Sequence, residues 1–294
     1  MNLQNIFKEI EQVDPEIYER LDTRRSVMKG FANLSGKLAL SAIPLALGSM
    51  LSKAYGQSTT TTVTDTLQFA LTLEYLEAEF YNNVVNAPGL AVSLTGAART
   101  AMQKIAADEN AHVAFLKAAL TAAGVTPVAK PTFDFTAGNG TGTGPFSGAA
   151  SPFTNYTITL AMAQTFEDTG VRAYKGQAGN LISNNDVLTA ALQIHSVEAR
   201  HASHIRQMRR AQNQAIPAGQ TVKPWITLNQ SGIDFPPGNA AIQMSYNGEE
   251  NVTQAGINIT TNGGQAFSAA SASAAFDEPL TKAEVLAIVD PFIV

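Results

Sequence analysis

The chain has 294 residues, 45% of them hydrophobic and 15% charged, and this composition excludes collagen-like, coiled-coil and fully disordered classes. Its 19 Lys and Arg against 24 Asp and Glu give a net charge of −5, so we expect no nucleic-acid partner bound through phosphates. It contains no cysteine, which excludes disulfide frameworks, thiolate zinc sites, iron–sulfur clusters and thiol nucleophiles. Histidine and carboxylates remain as the strong metal ligands.

The first 57 residues have the organisation of an export signal. Arg24 and Arg25, with Lys29 four positions after the second arginine, precede an apolar run over 38–51 and a small-x-small cleavage pattern. A run of about 14 residues is too short to span a bilayer as a helix. The segment resembles a twin-arginine signal peptide and predicts a periplasmic or extracellular protein that meets the membrane only through this signal. The alternative is a basic, amphipathic arm that the mature protein keeps.

Four segments with apolar residues at helical spacing come next. They cover about 64–86, 93–123, 156–178 and 187–213. The stretch 125–155 is rich in Gly, Thr, Ser and Pro and predicts a long ordered crossover between the second and third helices. An all-α four-helix bundle with such a crossover is the arrangement of ferritin-like folds, and we assign residues 58–214 to it.

The residue pattern of 215–294 differs from that of the four helical segments and predicts an irregular extension packed on the bundle. Short β-prone pieces occur at 222–228 and 257–261. Thr281 and Glu284 form a capping-box pattern ahead of an apolar run, which predicts one short helix.

The motif Glu-x-x-His occurs twice, on two different predicted helices. Glu109 with His112 lies on the second helix, and Glu198 with His201 lies on the fourth. Residues three apart share a helical face, so each pair can present a carboxylate and an imidazole to one ion. The neighbours of both glutamates at helical spacing are mainly apolar, which predicts that the two pairs point into the core.

The other two helices each supply one further inward carboxylate. Glu74 and Glu167 lie in apolar stripes, and an Ala-Glu-Tyr pattern around them repeats after 93 residues, ending in Tyr81 and Tyr174. The bundle is therefore predicted to consist of two related helical hairpins. Glu77, three residues after Glu74, is the alternative ligand on the first helix.

The charge of the six groups and their positions along the bundle axis determine which ions they can hold. All six lie within four residues of their helix midpoints, which places them within about 6 Å along the bundle axis at 1.5 Å per residue. Four ionised carboxylates in a dry core are prohibitively costly unless cations neutralise them, and two divalent ions supply the matching charge. Oxygen and imidazole ligands without sulfur favour iron or manganese. The predicted cofactor is therefore a pair of Fe or Mn ions.

With these ligands the sequence resembles the ferritin-like superfamily. Within it, Leu73–Tyr81 and Phe276–Leu280 resemble exported ferritin-like domain proteins called desiccation-related. The resemblance implies that Glu109 and Glu198 bridge two metals. It also implies that Glu74 with His112 and Glu167 with His201 complete the separate shells, and that Tyr81 and Tyr174 lie near them as redox-active or supporting phenols. The spacing alone leaves open which histidine serves which metal.

This resemblance implies an exported dinuclear metal protein that reacts with peroxide or oxygen under oxidative or drying stress. A catalase-like manganese protein and an iron oxidase both remain open, and an oligomer is possible. The absence of cysteine and the extension argue against a rubredoxin-like centre and a storage cage. The rival interpretation is a non-catalytic stress or envelope protein whose metal site is structural or vestigial.

Overall fold

Four long helices make up most of the described chain. The computed structural model describes residues 61–214, 216–235, 239–264 and 266–294, so the predicted export signal at 1–57 lies outside the described residues. The long helices are α1 (Thr61–Asn86), α2 (Gly96–Ala122), α3 (Tyr156–Gln177) and α4 (Asn185–Ala211). α1 packs along α2, and α3 packs along α4. The predicted all-α bundle with a long crossover is confirmed.

The ends of these helices follow from local chemistry. The Asn155 side chain accepts hydrogen bonds from two backbone N–H groups at the start of α3, and Asn184 accepts one at the start of α4. Gly124 follows α2 with a φ of +74°, a left-handed conformation that stops a helix. Because such capping and stopping residues are visible in the sequence, the predicted bounds lie within three residues of the observed ones.

The crossover, residues 123–155, covers one side of the bundle with aromatic side chains. Phe135 and Phe146 are buried in the main hydrophobic cluster. The ring of Phe135 lies 5.7 Å from that of Phe80 on α1, and Phe80 in turn meets Phe166 on α3 edge-on at 5.2 Å. The aromatic side chains of the crossover thus pack where α1 and α3 meet.

The carboxy-terminal extension contains short elements only. They are α5 (Asn239–Met244), the antiparallel pair β1 (Thr253–Gln254) and β2 (Ile257–Asn258), α6 (Ala269–Ser273) and α7 (Lys282–Val289). The Thr281–Glu284 capping box is present at the start of α7, as predicted. The strand predicted over 222–228 is wrong: Leu228 has a φ of +51°, which an extended strand does not allow, and only an isolated bridge at Thr227 forms there.

Buried polar contacts join α3 to the extension and to α4. Arg172 Nε lies 2.7 Å from Glu249 Oε1, and Arg206 on α4 pairs with Asp168. Tyr246 donates a hydrogen bond of 2.7 Å to the same Asp168. α3 is therefore enclosed both by the bundle and by the extension, which explains why it carries so many buried polar side chains.

None of the described helices is long and apolar enough to cross a membrane.

Candidate metal centre

Six side chains from the four long helices turn into the middle of the bundle. They are Glu74 of α1, Glu109 and His112 of α2, Glu167 of α3, and Glu198 and His201 of α4. All four carboxylates are 0% exposed, and both imidazoles are buried as well. The structure thus brings together every metal-ligand candidate that the sequence pattern selects.

These side chains form two groups that share two members. One group holds Glu74, Glu109, His112 and Glu198, and the other holds Glu109, Glu167, Glu198 and His201; in each group the ligand atoms lie within 4.8 Å of one another. Glu109 and Glu198 belong to both groups. Two neighbouring cations, each with one carboxylate and one imidazole of its own and two carboxylates in common, match this arrangement.

The histidines approach the cluster through their Nδ1 atoms. His112 Nδ1 lies 2.9 Å from Glu109 Oε2 and 3.2 Å from Glu74 Oε2. His201 Nδ1 lies 2.8 Å from Glu109 Oε1 and 3.3 Å from Glu167 Oε2. The pairing that spacing left open is therefore defined by geometry: His112 accompanies Glu74, and His201 accompanies Glu167.

Several buried atoms of the cluster make no well-formed hydrogen bond within the described chain, although some of them lie 2.8–3.3 Å from an oppositely charged side chain. They are Glu109 Oε1, Glu167 Oε2, both carboxylate oxygens of Glu198, and His201 Nδ1. An unsatisfied buried polar atom is costly and calls for an explanation. Because the oxygens carry lone pairs, and His201 Nδ1 gains one when it loses its proton, cations placed among these converging atoms would satisfy the whole set. The residues therefore fit a metal pair, and their oxygen and nitrogen donors suit iron or manganese.

Each of the two predicted tyrosines bonds a carboxylate of the opposite hairpin. Tyr81 on α1 donates a hydrogen bond of 2.5 Å to Glu167 Oε1, and Tyr174 on α3 donates one to Glu74 Oε1. Both rings are buried. The sequence repeat thus reappears as a reciprocal pair of contacts that fixes one oxygen of each unshared carboxylate.

Burial and charge perturb the cluster strongly. Burial raises the pKa of Glu74 to about 8, and burial together with Glu109 raises the pKa of Glu198 well above its ordinary value. Burial also opposes ionisation of Glu109, but close contacts with the two histidines at 2.9 and 2.8 Å lower its pKa to about 2. Burial alone would lower the pKa of His201, yet Glu167 and Glu109 raise it to about 11. Without a cation, protons on the imidazoles and on the carboxyls of raised pKa therefore neutralise the cluster, and a metal would replace those protons.

Comparison with known proteins places this cluster in a family. A family model described as a ferritin-like domain matches residues 62–211. The chain belongs to this ferritin-like family. No curated protein and no solved structure matches it. The matched ferritin-like domain spans nearly all of the four long helices and contains all six ligand candidates.

A fifth buried carboxylate adjoins the four of the ligand cluster. Glu77 on α1, which the sequence raised as an alternative to Glu74, is 4% exposed and accompanies it instead of replacing it. Its counterpart after the 93-residue repeat is Gly170, where an added Cβ would lie 3.0 Å from Glu198 Oε2 and 3.3 Å from Glu77 Oε1. The missing side chain on α3 leaves the room that the Glu77 carboxylate takes. Only this pairing of Glu77 with a glycine in the repeat could have revealed it from sequence.

An open groove of about 1200 Å³ runs between α2 and α4 and reaches the edge of the cluster. Its lining includes His201, the neighbouring Asp108, and Lys104, which pairs with Asp108. Asp108 is not among the predicted ligands, since an acidic residue directly before Glu109 has the pattern of an ordinary surface charge. Its position beside His201 depends on the distance between two helices and leaves no local signal.

The remaining acidic and imidazole groups near the motifs have ordinary surroundings. Glu79 on α1 pairs with Lys130 of the crossover. The His195 ring lies 2.9 Å from the Val171 carbonyl oxygen, and His204 is exposed in the groove. None of these three side chains belongs to either ligand group.

Proposed function

We propose that this ferritin-like protein holds two divalent iron or manganese ions and reacts with peroxide or oxygen. The observation that carries the proposal is the division of six buried ligands into two groups with Glu109 and Glu198 in common. The carboxylate oxygens of the same cluster that accept no well-formed hydrogen bond within the described chain support it, because cations would satisfy them.

The protein's own part in such a reaction is to hold and shield the centre. When bound, the metal pair supplies Lewis acidity and the electrons exchanged with an oxidant. Glu109 and Glu198 offer oxygens to both positions, and the hydroxyls of Tyr81 and Tyr174 hold one oxygen of each unshared carboxylate. The apolar bundle excludes bulk water, which strengthens every charge interaction inside. The groove between α2 and α4 offers a small oxidant a route to the His201 edge.

We further assign this chemistry to the cell envelope under oxidative or drying stress. The twin-arginine pattern at Arg24 and Arg25 supports export, and Leu73–Tyr81 with Phe276–Leu280 supports the desiccation-related branch of the family. Replacing both arginines by lysine in the full chain is expected to retain the protein in the cytoplasm on cell fractionation. Undiminished export of that variant would refute the signal assignment.

The metal proposal is tested on protein purified after export. Elemental analysis is expected to give two ions of iron or manganese per chain, and a Glu109→Ala, Glu198→Ala variant is expected to lose both. Glu79→Ala is the matched control, because Glu79 lies outside both ligand groups. Unchanged metal content in the double variant would refute the shared positions.

Turnover separates the enzyme from its rival. Oxygen release from added peroxide without a reductant identifies catalase-like activity, whereas oxygen uptake on adding ferrous iron identifies an oxidase. Two bound ions with neither reaction would refute the catalytic proposal and favour the non-catalytic stress protein.

A further inference from the structure

His201 lies between the ligand cluster and an outer carboxylate. Its Nδ1 faces Glu109 and Glu167, and its Nε2 lies 3.3 Å from Asp108 Oδ2 in hydrogen-bonding geometry. Asp108 also pairs with the exposed Lys104, and both side chains line the groove. The ring is therefore fixed at both nitrogens, and the atom that faces the cluster is determined.

The other histidine has no such support. The Glu-x-x-His motifs repeat after 89 residues, and this offset equates Asp108 with Val197, an apolar side chain. All three carboxylate contacts of His112 run through its Nδ1, and in the described residues no acidic side chain pairs with its Nε2. The two hairpins are thus alike in their ligands and unlike at one outer position.

We infer that Asp108 is a positioning residue that makes the two metal positions unequal, so that the position with Glu167 and His201 binds its ion more tightly than the position with Glu74 and His112. A carboxylate that accepts the outer N–H of a ligating imidazole fixes its tautomer and ring orientation and increases its strength as a ligand. Loss of such a partner typically weakens metal affinity by about 10- to 100-fold. The inference rests on the proposed function, because it presupposes two metal positions.

The experiment titrates the metal-free full chain with Mn²⁺ and follows free Mn²⁺ by electron paramagnetic resonance. The wild type is expected to show a tight and a weak position. Asp108→Asn is expected to weaken the tight position by about 10- to 100-fold and to leave the weak one unchanged. Val197→Asp places a carboxylate at the equivalent point of the other hairpin. This variant is expected to strengthen Mn²⁺ binding at the weak position and so to reduce the difference in affinity between the two positions.

Lys104→Ala is the matched control, since it breaks the same surface ion pair but leaves the Asp108 carboxylate beside His201. The Lys104→Ala variant is expected to keep the wild-type Mn²⁺ dissociation constants at both positions. Equal effects of Lys104→Ala and Asp108→Asn, or unchanged constants in Asp108→Asn, would overturn the inference. A wild type that binds no Mn²⁺ and no Fe²⁺ would instead overturn the proposed function, so the two failures are distinguishable.

Discussion

At the residue scale, the hydroxyls of Tyr81 and Tyr174 tie the two hairpins together across the cluster. Tyr81→Phe would leave Glu167 Oε1 without the bond it now accepts, inside a fully buried site. Removing a hydrogen bond to a charged group costs about 1.5–3 kcal/mol, so we expect the free energy of unfolding to fall by that amount. Denaturant titration of the metal-free protein measures it. Tyr156→Phe is the matched control, because the Tyr156 hydroxyl has no hydrogen-bond partner in the described chain, and an equal loss there would contradict the interpretation.

The protonated imidazoles predict how metal uptake depends on pH. Contact with carboxylates raises the pKa of both His112 and His201, for His201 to about 11, so both carry protons at neutral pH in the metal-free cluster. A metal that binds at Nδ1 must displace those protons. Metal addition at pH 7 is therefore expected to release protons, and the affinity is expected to fall as the pH falls. A pH indicator in weakly buffered solution measures the release, and uptake without release would count against ligation by the imidazoles.

Gly170 lies opposite Glu77, and its replacement by alanine tests how tightly the cluster is packed. Alanine is a better helix former than glycine by about 1 kcal/mol, so Gly170→Ala would stabilise a free stretch of α3. Here the new Cβ would meet Glu198 Oε2 at 3.0 Å and Glu77 Oε1 at 3.3 Å, and the carboxylates must shift. We expect a net loss of about 1–3 kcal/mol in unfolding free energy together with weaker metal binding. Gly179→Ala, where no atom lies within 4 Å of the added Cβ, is the control and should keep its metal.

At the scale of elements, the crossover depends on one carboxylate. Asp134 accepts backbone hydrogen bonds of 3.0, 3.0 and 3.1 Å from Thr136, Gly140 and Gly142, and these close the loop that delivers Phe135 to the core. Burial would raise the pKa of Asp134, but these bonds and the Thr136 hydroxyl lower it below the ordinary value of 3.8.

A lowered pKa has a definite consequence for acid stability. The contribution of Asp134 is present above the unfolded-state pKa of about 3.8 and is lost as the pH falls through the lower folded-state value. Asp134→Asn is therefore expected to be less stable than the wild type at pH 6, with a gap that shrinks below pH 4. Urea titrations of both proteins between pH 3 and pH 6 measure this gap, and a gap that stays constant would contradict the assignment.

The elements also show what sequence can predict. The long helices were predictable because apolar spacing and capping residues such as Asn184 are local signals. The convergence of the ligand candidates was predictable because Glu109 and Glu198 sit in a repeated motif, so that each copy supports the other. The β-prone piece at 222–228 forms no strand, since Leu228 has a positive φ and its N–H donates a hydrogen bond to the distant Ser273 side chain, a contact that no local pattern shows. The position of Asp108 beside His201 was unpredictable because it depends on the spacing between α2 and α4.

At the scale of the whole molecule, bundle and extension share one set of buried polar bonds. Arg172 pairs with Glu249 and donates further hydrogen bonds to the carbonyl oxygens of Ser245, Asn247 and Glu278, all in the extension. Arg172 and Glu249 are each 1% exposed. A bundle without its extension would leave this guanidinium buried on α3 without partners or force it into water. We therefore expect one cooperative unfolding transition for the two parts.

The whole-molecule prediction concerns this ion pair. Arg172→Leu leaves the buried Glu249 carboxylate without its cation and with only the backbone hydrogen bond from Glu278, so the free energy of unfolding is expected to fall by about 3–5 kcal/mol. The double variant Arg172→Leu, Glu249→Leu removes both charges and is expected to recover a large part of that loss, because an apolar pair of similar volume costs no ion desolvation. Calorimetry of the wild type, the two single variants Arg172→Leu and Glu249→Leu, and the double variant gives the coupling energy between the two positions. Equal stability loss in the Arg172→Leu and double variants would contradict this account of the ion pair. Two separate unfolding transitions in Arg172→Leu would show that bundle and extension unfold independently and do not share one core.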